Sequence, residues 1–131
     1  MIDFEEYKDV PSEEMAVDIR RTHKGNCCQA VTAALTSDPK LVEAAGGSGG
    51  GMGNGQGPCG AMIGAVMAAG VKTGGVGTTR FSRQIYDSFL ASSGAVSCHD
   101  LKGIGTGTVI CSCDDCVRNA MRAYREVFGE S

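Results

Sequence analysis

Residues 46–70, GGSGGGMGNGQGPCGAMIGAVMAAG, constrain this chain more than any other stretch. The first half is a glycine-rich loop whose backbone can take positive φ almost anywhere. The second half is a run of small apolar residues that reads as a buried helix. Gly60, Ala61, Gly64, Ala65 and Ala68 recur at three- and four-residue spacing, so one side of that helix carries almost no bulk and a neighbouring backbone can approach it closely. The run is too short to span a bilayer and starts in a loop, which argues for a central helix of a water-facing fold. Pro58 at the junction suits a first helical position and would put Cys59 in the first turn, where free amides and the macrodipole favour thiolate over thiol.

The rest of the chain is read as helices. Ser12 is expected to cap a first helix with Met15, Val17 and Ile19 inward, closed by Gly25. Asn26 is an N-cap for CCQAVTAALT, which sets Cys27 and Cys28 in an opening turn, and PKLVEAAG supplies a short third helix. Beyond the central helix, Thr78 or Thr79 caps a segment in which Phe81, Ile85 and Phe89 recur every fourth residue, with Gly94 as its stop. Cys98 and His99 fall in an irregular segment, and residues 101–110 are a candidate extended piece. Ser112 with Asp115 three residues on resembles a capping box, so a last helix starts at Cys113; Val117, Ala120, Met121, Tyr124, Val127 and Phe128 form its apolar stripe and Gly129 ends it. The expectation is an all-α, single-domain bundle of about five to six helices with a glycine-rich loop before a central helix: an N-terminal arm over 1–11 and a helical domain over 12–128.

Composition narrows the function. A formal charge of −3, with Lys and Arg scattered, argues against nucleic acid. MIDFEEYKDV lacks the basic and apolar regions of a secretory signal, which suggests a cytoplasmic protein. In that compartment seven cysteines point to metal binding or redox turnover rather than structural disulfides. Three helix starts carry cysteine: Cys27 with Cys28, Cys59, and Cys113 with Cys116. If they converge, Cys98 completes a four-sulfur site. His23 and His99 have ordinary structural explanations, and no pattern for covalent haem, a P-loop or a hydrolase is present. Gly55 to Gly60 matches G-x-G-x-x-G without the strand a dinucleotide fold needs, yet Gly57 and Gly60 would be the residues to meet a small anion or cofactor phosphate there.

Asn26-Cys27 followed by Gln29-Ala30-Val31, the GGGMGNGQGPCGAMIGA block, the phenylalanine-rich helix leading to Cys98, and a cysteine before Val117 together resemble the redox-active family named for its C_GCAxxG_C_C pattern. The resemblance runs from Asn26 to Phe128, and Cys59-Gly60-Ala61-Met62-Ile63-Gly64 is its most specific part. It implies a small single-domain protein whose four cysteines handle electrons or thiols. Carried onto this chain, the four are Cys27, Cys59, Cys98 and Cys113, with Cys116 also fitting the last position; Cys28, Cys111 and Cys116 are additions to the pattern.

Two chemistries follow. In thiol–disulfide exchange or electron transfer with an unidentified redox partner, Cys59 is the favoured nucleophile, because Asp114 and Asp115 would raise the Cys113-x-x-Cys116 thiols by like-charge repulsion. In a metal protein, Cys111, Cys113 and Cys116 form C-x-C-x-x-C, and Cys27, Cys59 or Cys98 completes the ligands of zinc or an iron–sulfur cluster. A third reading is an accessory module whose glycine loop docks a partner, and the small-residue helix leaves a homodimer open.

Overall fold

The computed structural model describes residues 2–129 and is all-α, with no strand among them. Five helices have ten or more residues: α1 (Ser12–Arg21), α2 (Cys27–Thr36), α4 (Gly60–Thr73), α5 (Thr78–Ser93) and α7 (Cys113–Phe128). Two are short, α3 (Pro39–Ala44) and α6 (Cys98–Leu101). The glycine-rich segment is built of tight turns, one of them a kinked π turn over Gly51–Gly55 in which even Met52 takes a positive φ of 65°.

Helix α4 is the middle of the fold because it lacks bulk. It packs against α2, α5 and α7, and Ala61, Ala65, Ala68 and Ala69 are buried beside Val31, Ile85, Phe89, Val117 and Met121. At Gly64 an added Cβ would lie 2.9 Å from the Cys28 carbonyl and from Val31 Cβ, so this glycine is what lets α2 lie on α4. The large side chains come from the outer helices; Ile85 and Phe89 are fully buried, each contributing about 1.5–3 kcal/mol by leaving water. Phe81 and Tyr124 both stack on Phe128, with ring centroids 4.9 and 4.8 Å apart, which ties α5 to the end of α7. A second, smaller cluster of Ile2, Tyr7, Met15, Ile19, Ala30, Ala33 and Val42 sits under α1, α2 and α3. There the Tyr7 hydroxyl donates to Asp18 at 2.6 Å.

Several boundaries differ from expectation. Ser12 is the first helical residue of α1 rather than its cap, and Thr22 rather than Gly25 closes the helix, because His23 takes the left-handed turn (φ 60°). Gly77 replaces either threonine as the cap of α5; Thr78 Oγ1 is instead 2.6 Å from Thr73 Oγ1 across the loop. Leu101 ends α6 and residues 102–110 are turns and irregular chain, folded back by the Ile110 N–H donating to the Leu101 carbonyl at 3.1 Å. Cys98 is not in an irregular segment: Ser97 caps α6, and Cys98 opens it.

Candidate functional site

Four helix starts meet around one cavity of about 230 Å³. Cys27 is the first residue of α2, Cys98 of α6 and Cys113 of α7. Cys59 is itself the N-cap of α4, with Pro58 one position further out, rather than Pro58 opening the helix and Cys59 lying in its first turn. All four, together with Cys116 one turn along α7, line the cavity. A short antiparallel bridge holds two of them side by side: the Cys59 N–H donates to the Val96 carbonyl at 2.8 Å and the Cys98 N–H to the Gly57 carbonyl at 3.0 Å.

The glycines of the loop make this convergence sterically feasible. A Cβ on Gly60 would sit 2.6 Å from Cys27 Sγ and 2.7 Å from the Ser48 carbonyl oxygen. A Cβ on Gly51, whose φ is +60°, would sit 2.6 Å from that of Cys98. The glycine after Cys59 is therefore a packing requirement of the cysteine cluster, and its effect is to let the Cys27 sulfur rest against the start of α4.

Three of the four helix starts are capped by oxygen. The Asn26 side chain accepts the Gln29 N–H at 2.9 Å while Gln29 Oε1 accepts the Asn26 N–H at 3.0 Å, a complete capping box. Ser97 Oγ accepts the Asp100 N–H at 3.2 Å, and Ser112 Oγ accepts the Asp115 N–H at 3.1 Å. Helix α4 has no such oxygen. Its sulfur stands where the oxygen would be, and no cap hydrogen bond of ordinary length forms, yet the Ala61 and Met62 amides still act on Cys59.

The consequence is a divided thiol set. A hydrogen bond from the Cys116 thiol is the largest influence holding Cys59 down, at about 6; burial opposes it, and the Met62 and Ala61 amides and the Lys102 ammonium assist. Cys116 is pushed well above the ordinary thiol range, first by its bond to Cys59 and then by burial. Burial likewise raises Cys27 and Cys98, and pushes Cys28 up to about 12. Cys59 is thus the sulfur favoured as thiolate at neutral pH, with the Cys116 thiol acting on it from beside the Cys111 carbonyl, 3.8 Å from Cys116 Sγ.

Lys102 completes the group. Its Nζ donates to Cys116 Sγ at 3.1 Å and to the Cys111 carbonyl at 3.0 Å. Burial pulls this ammonium down, but its contacts with Cys116, Cys113 and Cys59 outweigh the burial and the net displacement is upward, so it stays charged. Sequence reasoning missed Lys102. The available signal was its position four residues after Cys98, one helical turn along, which brings it back to the same cavity.

Other expectations sort themselves by position. Cys111 is buried outside the cavity, its sulfur accepting from Asn119 Nδ2 at 3.8 Å, and Cys28 is buried with its thiol 3.8 Å from Met67 Sδ. Gly60 lines the cavity, but Gly57 does not: its N–H donates to Gly51 and its carbonyl receives Cys98, which leaves no free amide for an anion. Asp114 pairs with Arg20 at 3.4 Å and Arg21 at 2.6 Å, and Asp115 with Arg118 at 3.3 Å, and neither aspartate is among the influences that raise Cys116. Of the candidate metal ligands Cys27, Cys59, Cys98, Cys111, Cys113 and Cys116, five share the cavity. Among the described residues, however, no three His, Cys, Asp or Glu side chains converge in a way that would hold an ion. The positive charge beside the sulfurs is the Lys102 ammonium.

An all-α domain whose distant cysteines gather at helix starts around one cavity, with one sulfur held below the ordinary thiol range, defines a cysteine-cluster protein. The chain belongs to the C_GCAxxG_C_C family: the family profile described as "Putative redox-active protein (C_GCAxxG_C_C)" matches residues 25–127. No match was found among curated proteins or among solved structures. None of the helices in the described residues is long and apolar enough to cross a membrane.

Proposed function

We propose that the protein is a thiol–disulfide oxidoreductase in which Cys59 is the attacking sulfur and Cys116 the resolving one. The observation that carries this is the capping pattern: of the helix starts around the cavity, only that of α4 lacks an oxygen cap, and there a cysteine stands in its place beside a second thiol. The Cys59 thiolate attacks one sulfur of an acceptor disulfide, forming a mixed disulfide and expelling the other sulfur as thiolate. The Cys116 proton passes to that leaving thiolate. Cys116 then attacks Cys59 Sγ, which closes the Cys59–Cys116 disulfide and releases the second acceptor thiolate. Two electrons have moved from the dithiol to the acceptor, and a second, dithiol-bearing partner would return the pair.

The order of these steps has a physical basis. While Cys59 is an anion it holds the Cys116 proton in place. Once Cys59 is bonded to the acceptor that anion is gone, and the Lys102 ammonium 3.1 Å away then favours a Cys116 thiolate. The attacking and resolving thiols are thereby activated in turn.

The test is a map of the oxidised state. Anaerobically reduced protein treated with one equivalent of a small disulfide is expected to lose two thiols and to yield a Cys59–Cys116 cross-linked peptide. Cys59→Ser should abolish the reaction, and Cys116→Ser should stop it at the mixed disulfide. Stoichiometric zinc or iron in protein whose thiols stay inert, or a cross-link that omits Cys59, would overturn the proposal.

A further inference from the structure

Resting on that reading, the cavity itself says what kind of disulfide can be the acceptor. Cys59 is 4% exposed, and it lines a cavity of about 230 Å³. Exchange requires the attacked sulfur to come into contact with Cys59 Sγ with the leaving sulfur in line behind it. A cysteine of a folded protein carries chain on both sides, and that chain has nowhere to go in a space of this size.

The charge of the lining is one-sided. Arg20, His23 and Lys102 face the cavity, and among the described residues no Asp or Glu does. Asp114 lies outside the lining and is shared between Arg20 at 3.4 Å and Arg21 at 2.6 Å, so one carboxylate faces two guanidiniums and a net positive charge remains. Two fixed cations thus stand against the single Cys59 thiolate, and this local excess opposes the −3 charge of the chain as a whole. Within a walled space such a local field outweighs distant, screened charges.

We infer that the acceptor is a low-molecular-weight disulfide bearing carboxylate or similar anionic groups, taken into the cavity between Arg20, His23 and Lys102, and that protein disulfides are excluded. The acceptor leaves as two small anionic thiols. The other half of the cycle, regeneration of the dithiol, is not constrained by this argument.

The experiment compares small disulfides that differ in charge, using the full reduced chain and following thiol release by stopped flow. Dithiodiglycolate carries two negative charges, hydroxyethyl disulfide none and cystamine two positive; insulin serves as a protein disulfide. Dithiodiglycolate is expected to react about tenfold faster than cystamine after correction for their intrinsic rates with a free thiol, with hydroxyethyl disulfide between them and insulin unreactive. Arg20→Gln should cut the dithiodiglycolate-to-cystamine ratio about threefold. A ratio of one, a ratio favouring cystamine, or insulin reduced as fast as the small disulfides would overturn this inference while leaving the exchange reading intact. If none of the small disulfides reacts with Cys59, the exchange reading fails and the inference goes with it.

Discussion

The starts of α2 and α4 lie against each other across Gly60, and each presents a cysteine to the same cavity, yet they treat sulfur in opposite ways. At α2 the Asn26 side chain takes the Gln29 amide, and burial raises the Cys27 thiol even though the Gly50 and Cys28 amides pull it down. At α4 no oxygen caps the helix, the amides of Ala61 and Met62 act on Cys59, and that sulfur is held at about 6. Proximity to a helix N-terminus is therefore a poor guide to thiol reactivity by itself. What matters is whether burial is offset, and at Cys59 it is offset first by a second thiol and then by the amides of the helix start.

This comparison can be broken from either side. The largest expected effect on the fold is that of Gly60→Ala, whose methyl would press on both Cys27 Sγ and the Ser48 carbonyl. Chemical denaturation should register a loss of about 1–3 kcal/mol; an unchanged midpoint would mean that the two helix starts are not in contact as described. A smaller effect is expected from removing the caps themselves. Asn26→Ala should cost about 1 kcal/mol, without making Cys27 the faster-alkylated sulfur, because Cys27 sits inside the helix rather than at its cap. At position 59, Cys59→Ser, which returns an oxygen to the cap, should be more stable than Cys59→Ala by about 1 kcal/mol. If Ala and Ser at position 59 are equally stable, sulfur is not filling the capping position.

Much of this arrangement can be read without coordinates, and the reasons for the rest are local. Asn26 and Ser112 announce helix starts through side-chain chemistry three residues deep, so α2 and α7 begin where the residues suggest. The unbulky face of α4 follows from spacing alone. Helix α6 is four residues long, too short for any periodicity, and so Cys98 reads as loop until Ser97 is seen capping it. Pro58 is compatible with either of two adjacent register positions, and only the bridge to Ser97 decides that Cys59 is the cap. Whether Cys113 or Cys116 meets Cys59 depends on how α7 is rotated against α4. The neutralisation of Asp114 depends on Arg20 and Arg21, more than ninety residues earlier in the chain. Lys102 matters only because the turns over 103–112 fold Cys111 and Cys116 back onto it.

The account turns on the ionisation of one sulfur, and the pH dependence of alkylation at Cys59 tests it most directly. The thiolate is the reactive form, so the rate of carbamidomethylation at Cys59, followed by peptide mass spectrometry on the intact reduced chain, should climb as pH rises through about 6 and level off above it. Cys27 and Cys98, raised by burial, should still be accelerating above an ordinary thiol's midpoint of about 8.5. A Cys59 profile with its midpoint at 8.5 or higher, indistinguishable from those neighbours, would contradict the claim that Cys59 is the sulfur held as thiolate.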